Sequence, residues 1–274
     1  MPANPVLNQN RFDAVLAGKA VNHDVVPAGR TMTVAGTLSA IGVLFALLLG
    51  AGAFGWTQVK QVVEPVYQNG KAVIDEAGNQ VYQNATTIPG WLWLGLVVGL
   101  VLGLVTSFVP KAARFTAPLY ALAYGLVLGA ISAVYNNAYS GIVVQAIGAT
   151  LGVFLVMFLL YATRLVKVTP KFMLVTIAAT GGIFLLYMVA WIASIFGADI
   201  VFWNEPSALG IGFSVVIVIV ASMNLMLDFN FIEQAAAART TPSYMEWYAA
   251  FGVTVTIIWL YLEILRLLAL LRQR

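Results

Sequence analysis

Two carboxylates stand inside apolar sequence. Asp228 closes the charge-free run 206–227, and Glu263 follows the charge-free run 247–262. An ionised carboxylate at the centre of a bilayer is unfavourable by about 2.5–3.5 kcal/mol even on insertion scales, so such a residue reads first as functional. Carboxylate oxygens suit hard cations such as Ca²⁺. Two carboxyls in one site do not readily both ionise, so a pair sharing a proton makes a pH switch: closed when neutral, open or cation-binding when doubly charged. Asn224 precedes Asp228 by four residues and shares its helix face. A plainer reading stands beside this one. Asp228 lies near a helix end, where water reaches it, and Arg266, one turn after Glu263, offers a structural ion pair. Spacing alone leaves both open.

Other chemistry is scarce. The chain has no cysteine and one histidine, His23, which precedes every apolar run. Thiolate metal sites, disulfides and membrane-embedded serine–histidine dyads are excluded. A retinal Schiff base needs a lysine in the last helix, and none follows Lys171. An aspartyl intramembrane protease needs two membrane aspartates, and only Asp228 qualifies. No catalytic residue is assigned, and the protein is expected not to be an enzyme. The net charge of +3 gives no reason to expect nucleic acid.

The elements that must position these carboxylates follow from composition. Of 274 residues, 61% are hydrophobic and 9% charged, against about 25% charged in soluble domains. The chain is therefore an integral membrane protein. Charge-free stretches at 31–59, 77–110, 115–163, 172–198, 206–227 and 247–262 predict seven helices, because a crossing takes about 20 residues and the third stretch is long enough for two. They lie near 33–56, 90–110, 115–134, 141–163, 171–197, 207–229 and 247–271, with a turn at Tyr135–Gly141. Residues 1–30 form a polar tail and 31–274 the transmembrane domain. Loop 57–88 is polar. Thr169-Pro170 opens the fifth helix, Ser243–Glu246 fits a capping box before the seventh, and Trp91, Trp93, Trp203, Trp247 and Tyr248 mark helix ends at the interface.

Orientation follows from the basic residues. With the N-terminus inside, the inner segments hold Arg11, Lys19, Arg30, Lys111, Arg114, Arg164, Lys167, Lys171 and Arg239, while the outer loops hold Lys60 and Lys71. Seven crossings leave Arg272 and Arg274 outside, against the rule, so a re-entrant seventh segment is the alternative. G-x-x-x-G spacings at Gly95, Gly99 and Gly103, at Gly125 and Gly129, and at Gly148 and Gly152 permit close packing, expected within a monomer more than between copies. Asn84-Ala85-Thr86 matches a glycosylation sequon and is read as a chance match. Geometry limits the carboxylate pair: the 16 residues from Trp247 to Glu263 rise about 24 Å, so Asp228 is reached only if the sixth helix continues past 229 or the seventh begins well outside the bilayer. The alanine-rich segment 229–238 allows the first.

TPKFMLVTIAATGGIFLLY (169–187), LDFNFIEQ (227–234) and YMEWYAAFGVTVTIIWLYLEILRLL (244–268) resemble the bacterial YccA/Bax inhibitor family, as does NPVLN (4–8). The resemblance runs over nearly the whole chain, and LYLEILRLL, similar to the family's closing LYLD-type helix motif, is its most specific part. It implies an all-α bundle of seven helices with the last at the centre, in a bacterial inner membrane. Characterised relatives are pH-sensitive calcium leak channels, closed by a hydrogen bond between an aspartate of the sixth helix and one of the seventh. Asp228 matches the first, in an Asp-x-x-x-Ile pattern completed by Ile232, and Glu263 the second, one methylene longer. The connection between them is longer here, and Lys111 and Arg114 are only near the place of the relatives' basic partner on the second helix. The resemblance implies Ca²⁺ as permeant ion, contacted by Asp228 and Glu263, and no cofactor. Its rivals are a non-conducting regulator of a membrane protease or stress response, with a membrane-protein partner, and a proton-coupled transporter.

Overall fold

The computed structural model describes residues 31–68, 71–74, 79–197 and 206–274. The tail 1–30, with NPVLN and His23, and Trp203 lie outside them. The described residues form seven α-helices: α1 Val34–Gln58, α2 Leu92–Phe108, α3 Ala113–Ala138, α4 Ile142–Ala162, α5 Pro170–Ile195, α6 Ala208–Ala237 and α7 Met245–Arg272. A 3₁₀ turn, Pro110–Ala112, joins α2 to α3. Among the described residues, six helices are long and apolar enough to cross a membrane. The 17-residue α2 is shorter, about 25 Å, and falls a little below the roughly 30 Å hydrocarbon thickness.

Loop 57–88 carries strand structure that hydropathy did not reveal. Strand β1 (Lys60–Pro65) pairs antiparallel with β4 (Tyr82–Thr87), with Lys60 opposite Thr87 and Pro65 opposite Tyr82. The short strands β2 (Tyr67–Gln68) and β3 (Lys71–Ala72) pair beyond them.

Helix α7 is the axis of the bundle. Buried residues make up 61% of its most apolar window, against 11% for α5. It packs on α1, α2, α3, α4 and α6, while α5 packs on α6 at the periphery. The largest core cluster joins Ile142 and Ala146 of α4, Ala221 and Leu225 of α6, and Leu260, Ile264 and Leu265 of α7. A second unites Leu44 and Leu48 of α1 with Tyr120 and Ala121 of α3 and Ala250 and Ile258 of α7. At α7's first turn, Thr33 donates to the Glu246 carboxylate through its backbone N and its hydroxyl, both at 2.9 Å. At the far end Arg272 donates to Ser140 O and Gln145 Oε1, both at 2.9 Å. One unbroken helix thus runs from the α1 N-terminus to the α3–α4 turn.

Two local expectations change. The α7 N-cap is Tyr244, with no side-chain cap bond; Glu246 caps α1 across the bundle instead of closing a capping box with Ser243. The sixth helix continues to Ala237 because Ala235, Ala236 and Ala237 are strong helix formers, and it ends where Arg239 turns left-handed at φ 53°.

Glycine spacing works within the chain. Gly95, Gly99 and Gly103 of α2 lie against Ala123, Tyr124 and Tyr120 of α3. A Cβ on Gly129 of α3 would sit 1.9 Å from Gly52 O of α1, so only glycine allows these backbones to touch. Gly148 and Gly152 face open space.

Candidate functional site

The α6–α7 seam carries the polar residues. On α7 the positions 252, 256 and 263 recur at intervals of four and seven, which places them on one helical face. On α6, Asp228 looks across at the first two. Thr256 Oγ1 donates to Asp228 Oδ2 at 2.7 Å and also lies 3.1 Å from Gly252 O. Asp228 Oδ1 is 3.5 Å from where a Cβ on Gly252 would stand, so the missing side chain opens space beside the carboxylate.

That space is part of a groove of about 630 Å³ between α2, α3, α6 and α7. Gly99 and Gly103 form one wall, Tyr120 and Tyr124 another, and Asp228 and Thr256 supply polar atoms. Asp228 is half-buried there and lies within α6, not at its end.

Glu263 has a different setting. It is 5% exposed and pairs with Arg266 Nη1 at 3.5 Å on its own helix. The same nitrogen donates to Tyr187 Oη of α5 at 2.8 Å, and Ser214 of α6 lies nearby with its hydroxyl buried and unbonded among the described residues. Burying one charge in low dielectric is strongly unfavourable unless an opposite charge and hydrogen bonds meet it, and this cluster provides both.

The two carboxylates do not share a hydrogen bond. Asp228 bonds to Thr256, which precedes Glu263 by seven residues or about 10 Å of helix rise. They occupy successive levels of one seam and do not converge on one ion. Extension of α6 to Ala237 met the condition set by helix length, but α6 and α7 run antiparallel in a register that brings Ile232 beside Ala249 and Val253, and this leaves Glu263 beyond Asp228's reach. Asn224 shares Asp228's helix but serves another contact: its Nδ2 donates to Thr180 Oγ1 of α5 at 2.8 Å and to Val220 O at 2.9 Å. Lys111 and Arg114 are exposed at the α2–α3 turn. Among the described residues the ion pairs are Glu263–Arg266 and the surface pair Glu233–Arg164, so neither Lys111 nor Arg114 pairs with a seam carboxylate. No cluster of three or more metal-ligating side chains occurs among the described residues.

The profile described as Bax inhibitor 1 like matches residues 4–273. The chain belongs to the Bax inhibitor 1 family. No curated protein matches it, and no solved structure does. Family membership and the apolar helices together make this a multi-pass membrane protein.

Several polar residues of the seam carry no signal in the sequence that sets them apart. Thr256, Tyr187 and Ser214 are small or aromatic polar residues in apolar helices, indistinguishable there from Thr254 or Tyr261. Helical spacing places Thr256 on the face of Glu263, but their partners come from other helices. Glu233 is a further case: it accepts hydrogen bonds from Tyr161 and Arg164 at the end of α4 and fastens that end of the bundle to α6.

Proposed function

We propose that the protein is a cation leak pathway of a bacterial inner membrane, with Ca²⁺ as permeant ion, gated by protonation at Asp228 and Glu263. The observation that supports it best is the row of polar side chains along the α6–α7 seam, open at Asp228 to a groove and held at Glu263 by a basic residue. The two levels act in the same direction. Protonated Asp228 offers no charge to a cation; ionised Asp228 attracts one. Protonated Glu263 leaves Arg266 as an uncompensated positive charge that repels cations, and ionised Glu263 cancels it. Flux therefore rises with pH. On this reading the protein is not an enzyme, needs no cofactor, works as a monomer in the bilayer and keeps its N-terminus in the cytoplasm. Reporter fusions after Arg30, Ala113 and Val168 should then report the cytoplasm, and fusions after Asn79 and Arg274 the outside.

Purified protein in liposomes, loaded with a Ca²⁺ indicator and stepped across pH, is the test. Flux that increases with pH and falls in Asp228→Asn is the expected result; no flux above protein-free liposomes at any pH defeats the reading. One feature favours a non-conducting regulator of another membrane protein instead. Glu263 is met by Arg266 within its own helix, as a purely structural buried charge would be. A protein that carries no Ca²⁺ in liposomes but is recovered from membranes with one stoichiometric partner would decide for that alternative.

A further inference from the structure

Asp228 differs from Glu263 in having no basic partner among the described residues; its hydrogen-bond donor there is the Thr256 hydroxyl. A carboxylate in a membrane groove with no internal counter-charge either holds a proton or, when ionised, attracts a cation from outside the protein. The groove also says what kind. Its volume of about 630 Å³ falls within the roughly 300–1,000 Å³ of sites for drug-sized organic molecules and is far more than a bare ion fills. Ca²⁺ held in a fixed site takes about six to eight oxygen ligands, whereas the walls here are mostly apolar and aromatic. Tyr120 stacks on Tyr124 at 5.3 Å and meets Phe251 edge-on at 5.0 Å, and all three line the groove. Aromatic faces of this kind attract ammonium groups. Leu100 and Leu104 of α2, 62% and 50% exposed, carry the apolar wall out to the bundle surface.

We propose that this groove binds an amphiphilic organic cation, with its ammonium head against Asp228 and its alkyl tail along Leu100 and Leu104 of α2. The charge complement comes from Asp228, the head-group selectivity from the tyrosines, and the tail affinity from apolar area that would otherwise face lipid. The site stands whether or not the protein conducts Ca²⁺, because it is a property of binding and not of flux.

The test is calorimetric titration of the full chain in phosphatidylcholine nanodiscs with decylammonium and, as neutral isostere, 1-decanol, each corrected against empty nanodiscs. Saturable binding of about one decylammonium per protein is expected, at least about tenfold tighter than decanol. Asp228→Asn should bring the two ligands to equal affinity. Leu104→Trp, an exposed substitution that narrows the groove, should weaken both ligands and tests the site even if the Asp228→Asn variant does not fold. Repeating the titration with phosphatidylethanolamine in the nanodisc separates the sources: competition identifies a lipid amine as occupant, and unchanged affinity identifies a free amphiphile. Equal affinity for decylammonium and decanol in the unaltered protein overturns the proposal. So does discrimination that survives Asp228→Asn, or binding indifferent to Leu104→Trp.

Discussion

Asp228 and Glu263 are both acidic residues on one helix seam, yet the protein treats them in opposite ways. Glu263 is sealed, with Arg266 one turn along and Tyr187 of α5 bonded to the same guanidinium. Asp228 borders a groove and has a single hydroxyl donor among the described residues. A sealed charge needs every partner to remain, because removing one leaves the others desolvated and unmatched. An open charge can exchange its partner for water, a proton or a cation. The sealed site is therefore expected to govern stability and the open one binding.

Substitution of the basic partner should give the largest effect. Arg266→Met strands the Glu263 charge and should destabilise the protein by about 3–5 kcal/mol, read as a drop in thermal midpoint in detergent. Adding Glu263→Gln should recover most of the loss. A midpoint in Arg266→Met no lower than in Asp228→Asn would abolish the contrast between the two sites.

Next in size is the response of Ca²⁺ flux to pH. Asp228→Asn and Glu263→Gln should each flatten it. Because the side chains sit at separate levels about 10 Å apart along α7, their effects on the free-energy scale should add, to within about 0.5 kcal/mol. A double variant no worse than either single one would mean that the two share a proton after all, in a state with a different α6–α7 register.

Thr256→Val tests the open site from its neutral side. It removes the donor to Asp228, a hydrogen bond to a charged group worth about 1.5 kcal/mol or somewhat more. Since the groove admits water to replace the hydroxyl, the stability loss should fall well short of that for Arg266→Met. Chemical denaturation compared across both variants gives the order.

The smallest change is expected from Tyr187→Phe. It takes one acceptor from Arg266 but leaves the ion pair intact, so about 1 kcal/mol should be lost. A loss as large as that of Arg266→Met would show that the tyrosine, and not the glutamate, is what holds the arginine.

Much of this was legible beforehand, for reasons that differ by residue. The seven helices follow from the absence of charge over long stretches, since a bilayer excludes unpaired charge whatever the fold. Arg266 was readable as a partner of Glu263 because a spacing of three residues is a contact on any helix. The same kind of local argument places Asn224 on Asp228's helix face, while the partner of its amide, Thr180 of α5, is distant in sequence. Glu246 likewise left its local capping role for the exposed N-terminus of α1.

What the amino-acid sequence determined by itself is everything set by local periodicity and by partition into lipid: the number of helices, the carboxylates within them, the glycine stripes able to pack closely, and the family. Tertiary structure decided which atoms those residues meet. The antiparallel register of α6 on α7 sets Asp228 against Thr256 and carries Glu263 about two turns further on, to Arg266 and Tyr187. Register depends on the sum of many side-chain contacts along both helices, such as Ile232 between Ala249 and Val253, and no short motif encodes that sum. A shift of one helical turn, about 5.4 Å, leaves the hydropathy of every helix unchanged and alters every polar partner in the seam.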